Sequence, residues 1–504
     1  MKHPNIIFML LDDLGYGDVA CFNPKSKIPT PNMDKLAAQG LKMTDCHASS
    51  AVCSPSRYAL LTGRYNWRSR LKKTVLAGTA PHLIEDGRLT IAALLKKAGY
   101  RTAAVGKWHL GMDWQKADPK TSFADEPFHK VSTLPDWGIA YDKPILNGPT
   151  AKGFDYFFGT TASLDQPPYV FIENDMPTSH PTKVLGYDDC NHSFPDSMFK
   201  GDKGPAAEDF EFETAVPRCD QKVLDLIDEY AGPKEPFFIY YPSLAVHSPL
   251  SPAPEFKGKS ELGAYGDFVM QVDHFVGRLM DKLDEKGIAE DTILIVTSDN
   301  GCSTTADIPA LQSHGHYPSA QYRGAKADIW EGGHRIPFIV RWPGYVKENT
   351  ECDQTVCLVD MMATFAELTE QKYPDSAGED SVSNLDIWLG KDAPVREYTV
   401  HHSLFGNFSI RKGKWKLEMC PGSGSFNYPA EGKDTEGMPP IQLYDLENDE
   451  SETTNVYDKH PEIVKELREV LRGYIMNGRS TPGEPQKNYP CENWPGLEWM
   501  LKDN

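Results

Sequence analysis

Residues 5–11 form an apolar run, continuous after Asn5, that stops at Asp12 and Asp13. A run this short and uniform predicts a strand buried on both faces, as in a parallel sheet, with two carboxylates at its C-terminal edge. Open α/β sheets place their ligands at that edge. Thr30 and Pro31 supply an N-cap and a first-turn proline, and Gly40 a stop, for a short helix. A second helix is expected to begin at or just after Cys53, since Pro55 suits a first turn and residues 57–61 are good helix formers. Residues 90–99 predict another helix and 101–105 the next strand, so a βαβ rhythm is set early.

The rhythm breaks between about 112 and 212, where Pro, Gly and aromatic residues are interspersed. A loop region of that length inside a compact protein points to walls of a functional site. Regular spacing returns with Val223, Ile227 and Tyr230 on one helical face and a strand at 236–241. Val269, Val272, Val276, Leu279 and Leu283 then recur at intervals of three and four before Gly287. Residues 292–297 predict a strand that also ends in polar residues, Ser298, Asp299 and Asn300. Residues 360–370 predict a helix and 371–383 a polar surface connection. From about 396 the pattern changes to short alternating segments at 398–401, 407–410 and 414–418. An amphipathic helix follows at 461–474, with Ile463, Leu467 and Leu471 on one face. The expected architecture is α/β: a large mixed, mostly parallel sheet flanked by helices in domain 1–390, and a smaller α+β domain with an antiparallel sheet at 391–504. A chain of 504 residues fits one large core plus a smaller one.

Charge narrows the functions open to such a fold. With 72 acidic and 52 basic residues the net charge is -20, which argues against nucleic acid and anionic membranes as partners. Any anionic substrate has to be met by a local basic pocket. No apolar run approaches the roughly 20 residues that span a bilayer. The N-terminal apolar run is interrupted by Asp12 and Asp13 and reads as no signal peptide. The expected compartment is the cytoplasm, or the periplasm or exterior if a leader has been removed. The ten cysteines have no paired metal spacing, and reserving Cys53 leaves an odd number, so no disulfide framework is expected.

Asp12 and Asp13 at one strand end and Asp299 and Asn300 at another form an oxygen-only ligand set suited to a hard cation, calcium or magnesium. Three carboxylates gathered without one would repel each other. Cys53 at a helix N-terminus, with Arg57 one turn on, describes a site that favours anions and lowers a thiol's pKa. Each residue has a plainer reading as well: a turn or cap for the Asp pairs, a buried hydrophobe for Cys53, solvated or capping residues for Lys107, His109, His247 and Lys326.

Read together, the segments CSPSR (53–57), GKWHLG (106–111), HSP (247–249), TSDNG (297–301) and RGAKADIWEGGHRIPF (323–338) resemble the sulfatase family, in order, across nearly the whole first domain. The resemblance implies an alkaline-phosphatase-like fold and a sulfate-ester hydrolase in which a maturation enzyme converts Cys53 to formylglycine. Asp12, Asp13, Asp299, Asn300 and the modified Cys53 would hold calcium, with magnesium as the alternative. Arg57 would help activate the nucleophile, and Lys107, Lys326 and His247 would surround the sulfate. His247 would protonate the leaving alcohol and His109 would take the proton that releases sulfate. The family's variable walls fall at 160–174 and 313–322, making Trp108, Trp114, Asp165, His314, His316 and Arg323 candidates for sugar contacts. The mixture of polar and aromatic residues there favours a sulfated saccharide attacked at a chain end. The rival expectations are a phosphodiesterase or phosphonate monoester hydrolase of the same superfamily and, if Cys53 stays a thiol, a non-catalytic sulfoglycan-binding protein.

Overall fold

Strand β1 (Asn5–Leu11) is the apolar run, and Ile6 through Leu11 are buried because strands pair with it on both edges. The computed structural model describes residues 3–123, 136–186, 203–232, 235–391, 396–492, 494 and 496–501. The other strands of the main sheet are β2 (Leu41–His47), β3 (Arg101–Lys107), β4 (Tyr156–Thr160), β5 (Ile172–Glu173) and β6 (Met176–Pro177). After a separate pair, β7 (Pro181–Leu185) and β8 (Gly204–Ala207), come β9 (Phe237–Pro242), β10 (Thr292–Ser298), β11 (Arg335–Arg341), β12 (Thr350–Cys352) and β13 (Val356–Cys357). The order across the sheet is β12-β2-β11-β10-β1-β9-β3-β4-β5-β6, with β13 also on β2. From β10 through β4 every pairing is parallel, whereas β11 runs antiparallel to both β10 and β2. The sheet is therefore mixed and mostly parallel, and the site-bearing strands lie in its parallel centre.

The irregular stretch after residue 112 contributes β4 to β8. It disguises them because the strands are short and bounded by Gly and Pro. Strands β2 and β11 escape the pattern analysis for a related reason: polar and charged residues interrupt β2, Pro337 lies inside β11, and the two pair with each other across nearly 300 residues of chain.

Helix α1 (Pro31–Ala38) starts where Thr30 and Pro31 place it, but the Thr30 hydroxyl accepts from Ala20 N instead of capping. The free N–H groups of Asn32 and Met33 are taken by the Asp273 carboxylate, at 3.0 and 2.8 Å. Asp273 lies on α5 (Gly263–Glu285), which follows α2 (Cys53–Thr62), α3 (Ile91–Lys97) and α4 (Phe212–Tyr230) along the chain. The last turn of α2 ends on Gly63, whose φ of 63° suits a residue without Cβ. The helix expected at 360–370 forms over Met361–Leu368.

A second sheet, β14 (Thr399–His402), β15 (Phe408–Lys412), β16 (Trp415–Glu418) and β17 (Gln442–Asp445), is antiparallel throughout. Its apolar face joins Val400, Phe408, Ile410 and Leu417 to Leu467 and Leu471 of the helix Pro461–Asn477, and to Tyr65 and Trp67 just beyond α2. Among the described residues nine cysteines are free, and no helix is long and apolar enough to cross a membrane.

The expected surface connection at 371–383 holds over residues 371–376, which are exposed or half-buried, and fails over 377–381, which are buried. Asp380 accepts from Arg68 Nε and Nη2 and from Tyr65 N, all at 2.8 Å, and Glu379 accepts from Arg64 and Arg88. Polarity marks a surface only when the charges find no partners, and here cations from the segment after α2 supply them. Burial pushes the Asp380 carboxyl up, but Arg68 and the hydrogen bonds outweigh it and hold it below the usual range. Asp380→Ala, which strands Arg68, should cost about 3–5 kcal/mol at neutral pH by urea unfolding. Because the folded pKa is depressed, the gap between variant and parent should shrink as pH falls through it.

Candidate active site

The site follows from the register of β1 and β10. Leu11 lies opposite Ser298, so Asp12 and Asp299 leave the sheet side by side; Asp299 N donates to Leu11 O at 3.0 Å and Asp13 N to Asp299 Oδ1 at 3.3 Å. Asp13 turns in the left-handed region, φ 66°, which an Asp tolerates better than most residues. The segment after β9 is tied to the same edge by Asp12 N to Ala245 O and Val246 N to Asp12 O, and it carries His247. Strand β3 ends at Lys107, two strands over, and Lys107 Nζ donates to Asp12 Oδ2 at 2.6 Å. Cys53 is the first residue of α2, as expected, and one turn later Arg57 forks onto Asp299 Oδ2 with Nε at 2.9 Å and Nη2 at 2.8 Å, while Nη1 donates to Lys107 O. Lys326 Nζ reaches both oxygens of Asp13 at 2.7 and 2.8 Å, Asn300 Nδ2 donates to Asp13 Oδ1 at 2.8 Å, and His247 Nε2 is 3.6 Å from Asp13 Oδ2.

Three buried carboxylates thus face three fixed cations. Burial raises the Asp12 carboxyl, but Lys107, His247 and Arg57 together hold it well below the usual range. Asp299 moves the other way, pushed up by burial and then by the Asp12 charge. Asp12 Oδ1 and Asn300 Oδ1 are buried with no hydrogen-bond partner. Ligand atoms of Asp12, Cys53 and Asp299 lie within 4.8 Å of one another. Unused oxygen lone pairs among converging carboxylates fit a hard divalent cation.

His109, φ 54°, places Nε2 2.8 Å from Leu76 O, so Nε2 carries the proton and Nδ1 is a bare acceptor, buried and unpartnered. Burial, then Lys107 and Arg57, holds the imidazole neutral. His247 Nδ1 donates to Ser248 O at 2.6 Å, which leaves Nε2 as its working nitrogen. The Cys53 thiol departs from expectation: burial raises its pKa, and Lys107 and Lys326 only partly offset that. Desolvation outweighs the helix end because Arg57 is aimed at Asp299, not at the sulfur.

Residues 4–371 match the family model described as Sulfatase, and residues 325–477 match the one described as N-sulphoglucosamine sulphohydrolase, C-terminal. The chain belongs to the sulfatase family. It is 35% identical over 503 residues to an N-acetylgalactosamine-6-O-sulfatase of Bacteroides thetaiotaomicron, covering 93% of each chain. It is 31% identical over 419 residues to human steryl-sulfatase, covering 77% of this chain and 70% of that one. A solved structure from work on the metabolism of multiple glycosaminoglycans by Bacteroides thetaiotaomicron superposes with a TM-score of 0.79 at 33% identity, over 94% of this chain and 99% of that one. This sulfatase is a sulfuric ester hydrolase, and its family implies a metal and a formylglycine in general terms.

A pocket of about 270 Å³ opens onto Cys53, His109, His247 and Lys326. Of the six residues expected to contact sugar, Asp165 alone lines it. Trp108 is buried edge-on to Phe154 and Phe157 with its indole N–H on Gly111 O, and Trp114 is buried against Tyr141. His316 is buried on Asp18 at 2.8 Å, His314 is exposed and capped by Ala310 O, and Arg323 stacks on Trp330 while donating to Glu452 O. Aromatic and charged residues in irregular segments were claimed by the core and by the second sheet. The pocket instead takes Ser163 and Gln166, from the stretch already singled out around Asp165, and Thr304 and Thr305, which follow TSDNG. Leu404, Phe405 and Phe426 arrive from the second sheet, and no local signal marks them.

Because this sulfatase buries Cys53, iodoacetamide should alkylate the exposed Cys491 of the folded thiol form at least about tenfold faster than Cys53 near neutral pH. Peptide mass spectrometry measures the ratio, and equal rates would contradict the burial.

Proposed function

We propose that this sulfatase removes sulfate from a sugar at the end of a glycan, with the 6-sulfate of N-acetylgalactosamine as the first substrate to test. The observation that carries this reading is the set of buried, unpartnered oxygens on the pocket wall, Ser163 Oγ, Asp165 Oδ1 and Gln166 Oε1. A sterol or aryl alcohol would leave them unsatisfied, whereas sugar hydroxyls supply the missing partners. Leu404, Phe405 and Phe426 form an apolar wall that suits a ring face or an acetamide methyl. A volume of about 270 Å³ accommodates a monosaccharide sulfate and not a threaded polymer, which favours a chain end. The 35% identical relative named for N-acetylgalactosamine-6-O-sulfate supports the choice of sugar and position.

Asp12, Asp13, Asp299, Asn300 and residue 53 would hold the metal, with calcium favoured by an all-oxygen set containing three carboxylates. Converted to formylglycine and hydrated, residue 53 would offer two hydroxyls on one carbon, the metal lowering the pKa of one and the other allowing sulfate to be expelled. Lys107 and Lys326 bring ammonium donors to the sulfate oxygens, and Arg57 fixes Asp299 beside the nucleophile. His247 Nε2 delivers a proton to the departing sugar oxygen, and His109 Nδ1, neutral and bare, accepts the proton released at residue 53.

Cys53→Ser should abolish turnover while the sulfated sugar still binds, as measured by calorimetry. His247→Ala should lower kcat/KM about 10²–10⁴-fold on the sugar sulfate but under about tenfold on 4-nitrophenyl sulfate, whose leaving group needs little protonation. Equal losses on both would reassign His247 to positioning. A parent enzyme that prefers steryl or aryl sulfates over N-acetylgalactosamine-6-sulfate would overturn the substrate assignment. Calcium should raise the melting temperature of the parent and leave Asp12→Asn/Asp299→Asn unchanged.

A further inference from the structure

Ser54 adjoins the nucleophile position in CSPSR, yet it has no part in the machinery described above. Its side chain is wholly buried, and α2 takes no side-chain cap, so the hydroxyl serves another segment. It accepts from Leu76 N at 3.2 Å. Leu76 is also the residue whose carbonyl receives His109 Nε2 at 2.8 Å. The helix that bears residue 53 and the histidine that takes its proton are therefore joined through the two backbone groups of one uncharged residue.

The segment around Leu76 needs such a tie. Thr74 sits in the left-handed region, φ 58°, where a β-branched side chain is disfavoured. Thr74 N donates to Leu404 O at 2.7 Å, across the seam between the main sheet and the second sheet, and beyond Leu76 the next ties are Ala80 N to Ala77 O and Met112 N to Ala80 O. Between these anchors, among the described residues, Leu76 N has no partner but the Ser54 hydroxyl. A strained backbone keeps its shape only while its surroundings hold it.

Leu76 O decides between the tautomers of His109. A neutral imidazole carries one proton, and the nitrogen that donates to a fixed carbonyl keeps it. Nδ1 is thereby left bare, buried and without a partner. A carbonyl that swings away no longer fixes the proton on Nε2, and His109 then offers a donor where the reaction needs a base. His109 N is held independently by Thr161 O at 2.8 Å, so the ring stays in place while control of its tautomer is lost.

We infer that Ser54 is a positioning residue for the general base: by holding Leu76 N it sets where Leu76 O lies, and Leu76 O fixes the proton on His109 Nε2. The inference rests on the reading that His109 takes the proton released at residue 53 as sulfate departs. In that step the bond between the residue 53 carbon and the sulfate oxygen breaks, the remaining hydroxyl gives its proton to Nδ1, and its electron pair restores the C=O. The preceding step, transfer of sulfur to residue 53 with loss of the alcohol, relies on His247, which Ser248 O orients from a different loop. Ser54 therefore acts on the second step alone.

The test separates the two steps. The matured full chain, supplied with calcium, is mixed with 4-nitrophenyl sulfate by stopped flow, and every rate is divided by the aldehyde content at residue 53 from peptide mass spectrometry, since Ser54 adjoins the residue that is matured. Ser54→Ala should keep the single-turnover rate of nitrophenolate release within about threefold of the parent, and lower the steady-state rate at least about tenfold. The result is a burst of about one nitrophenolate per aldehyde. A merely structural defect slows both phases together; that outcome, or parent-like rates in both, would overturn the inference. His109→Ala tests the reading beneath it. Without a burst in that variant His109 is not the base for sulfate release and the reading fails, whereas a burst there and none in Ser54→Ala removes the positioning role alone. A second measurement needs no maturation. In long-range ¹⁵N–¹H spectra of the thiol form, with the His109 signal identified by its loss in His109→Ala, the parent should show the Nε2–H tautomer and Ser54→Ala a mixture with Nδ1–H. An unchanged Nε2–H signal would overturn the inference.

Discussion

Everything at the active site depends on keeping like charges together. Asp12, Asp13 and Asp299 converge in a dry part of the structure because two parallel strands end in register, and each carboxylate is held there by a cation from a different element: Lys107 from β3, Arg57 from α2 and Lys326 from the segment before β11. Removing any one cation leaves a buried carboxylate uncompensated, a far larger penalty than the loss of a surface ion pair. The same constraint explains why a protein of net charge -20 can receive a sulfate ester. Local cations, fixed by buried partners, set the field that the substrate meets, and the distant surface charge is screened.

The two histidines show how backbone carbonyls set chemistry. Leu76 O fixes His109 so that Nδ1 is bare, and Ser248 O fixes His247 so that Nε2 is the working nitrogen. Neither assignment requires a charged neighbour. Each needs a loop that stops at the right height above the sheet edge: ties from residues 243–246 to the end of β1 hold the one carrying His247, while His109 N donates to Thr161 O and Leu76 N to Ser54 Oγ.

The second sheet shapes the active site as well as packing against it. It supplies Leu404, Phe405 and Phe426 to the pocket, fills the space behind α2 with Phe408, Ile410 and Leu417, and neutralises Asp45 and Glu331 through Arg411 and Lys416. The wall opposite the cationic cradle is therefore assembled from a part of the chain more than 300 residues from Cys53. Substrate selection can change there without disturbing the carboxylates.

By itself, the sequence determined the parallel centre of the sheet and the residues that would meet at its edge. Largely apolar runs at 5–11 and 292–297, each leading into acidic or amide residues, carry that information locally, and CSPSR and GKWHLG identify the helix and strand that complete the set. Where a residue's fate depends on a distant partner, the local pattern is silent or misleading. Trp108, His316 and Arg323 have the composition of sugar contacts, yet they pack into the interior or along the seam because Phe154, Asp18 and Trp330 wait for them there. Asp380 has the look of a surface residue and is buried by Arg68. Leu404, Phe405 and Phe426 look like ordinary core and become a pocket wall. Only the tertiary structure decided these matters, because burial and electrostatic pairing belong to the assembled molecule, while strand and helix periodicity is written into neighbouring residues.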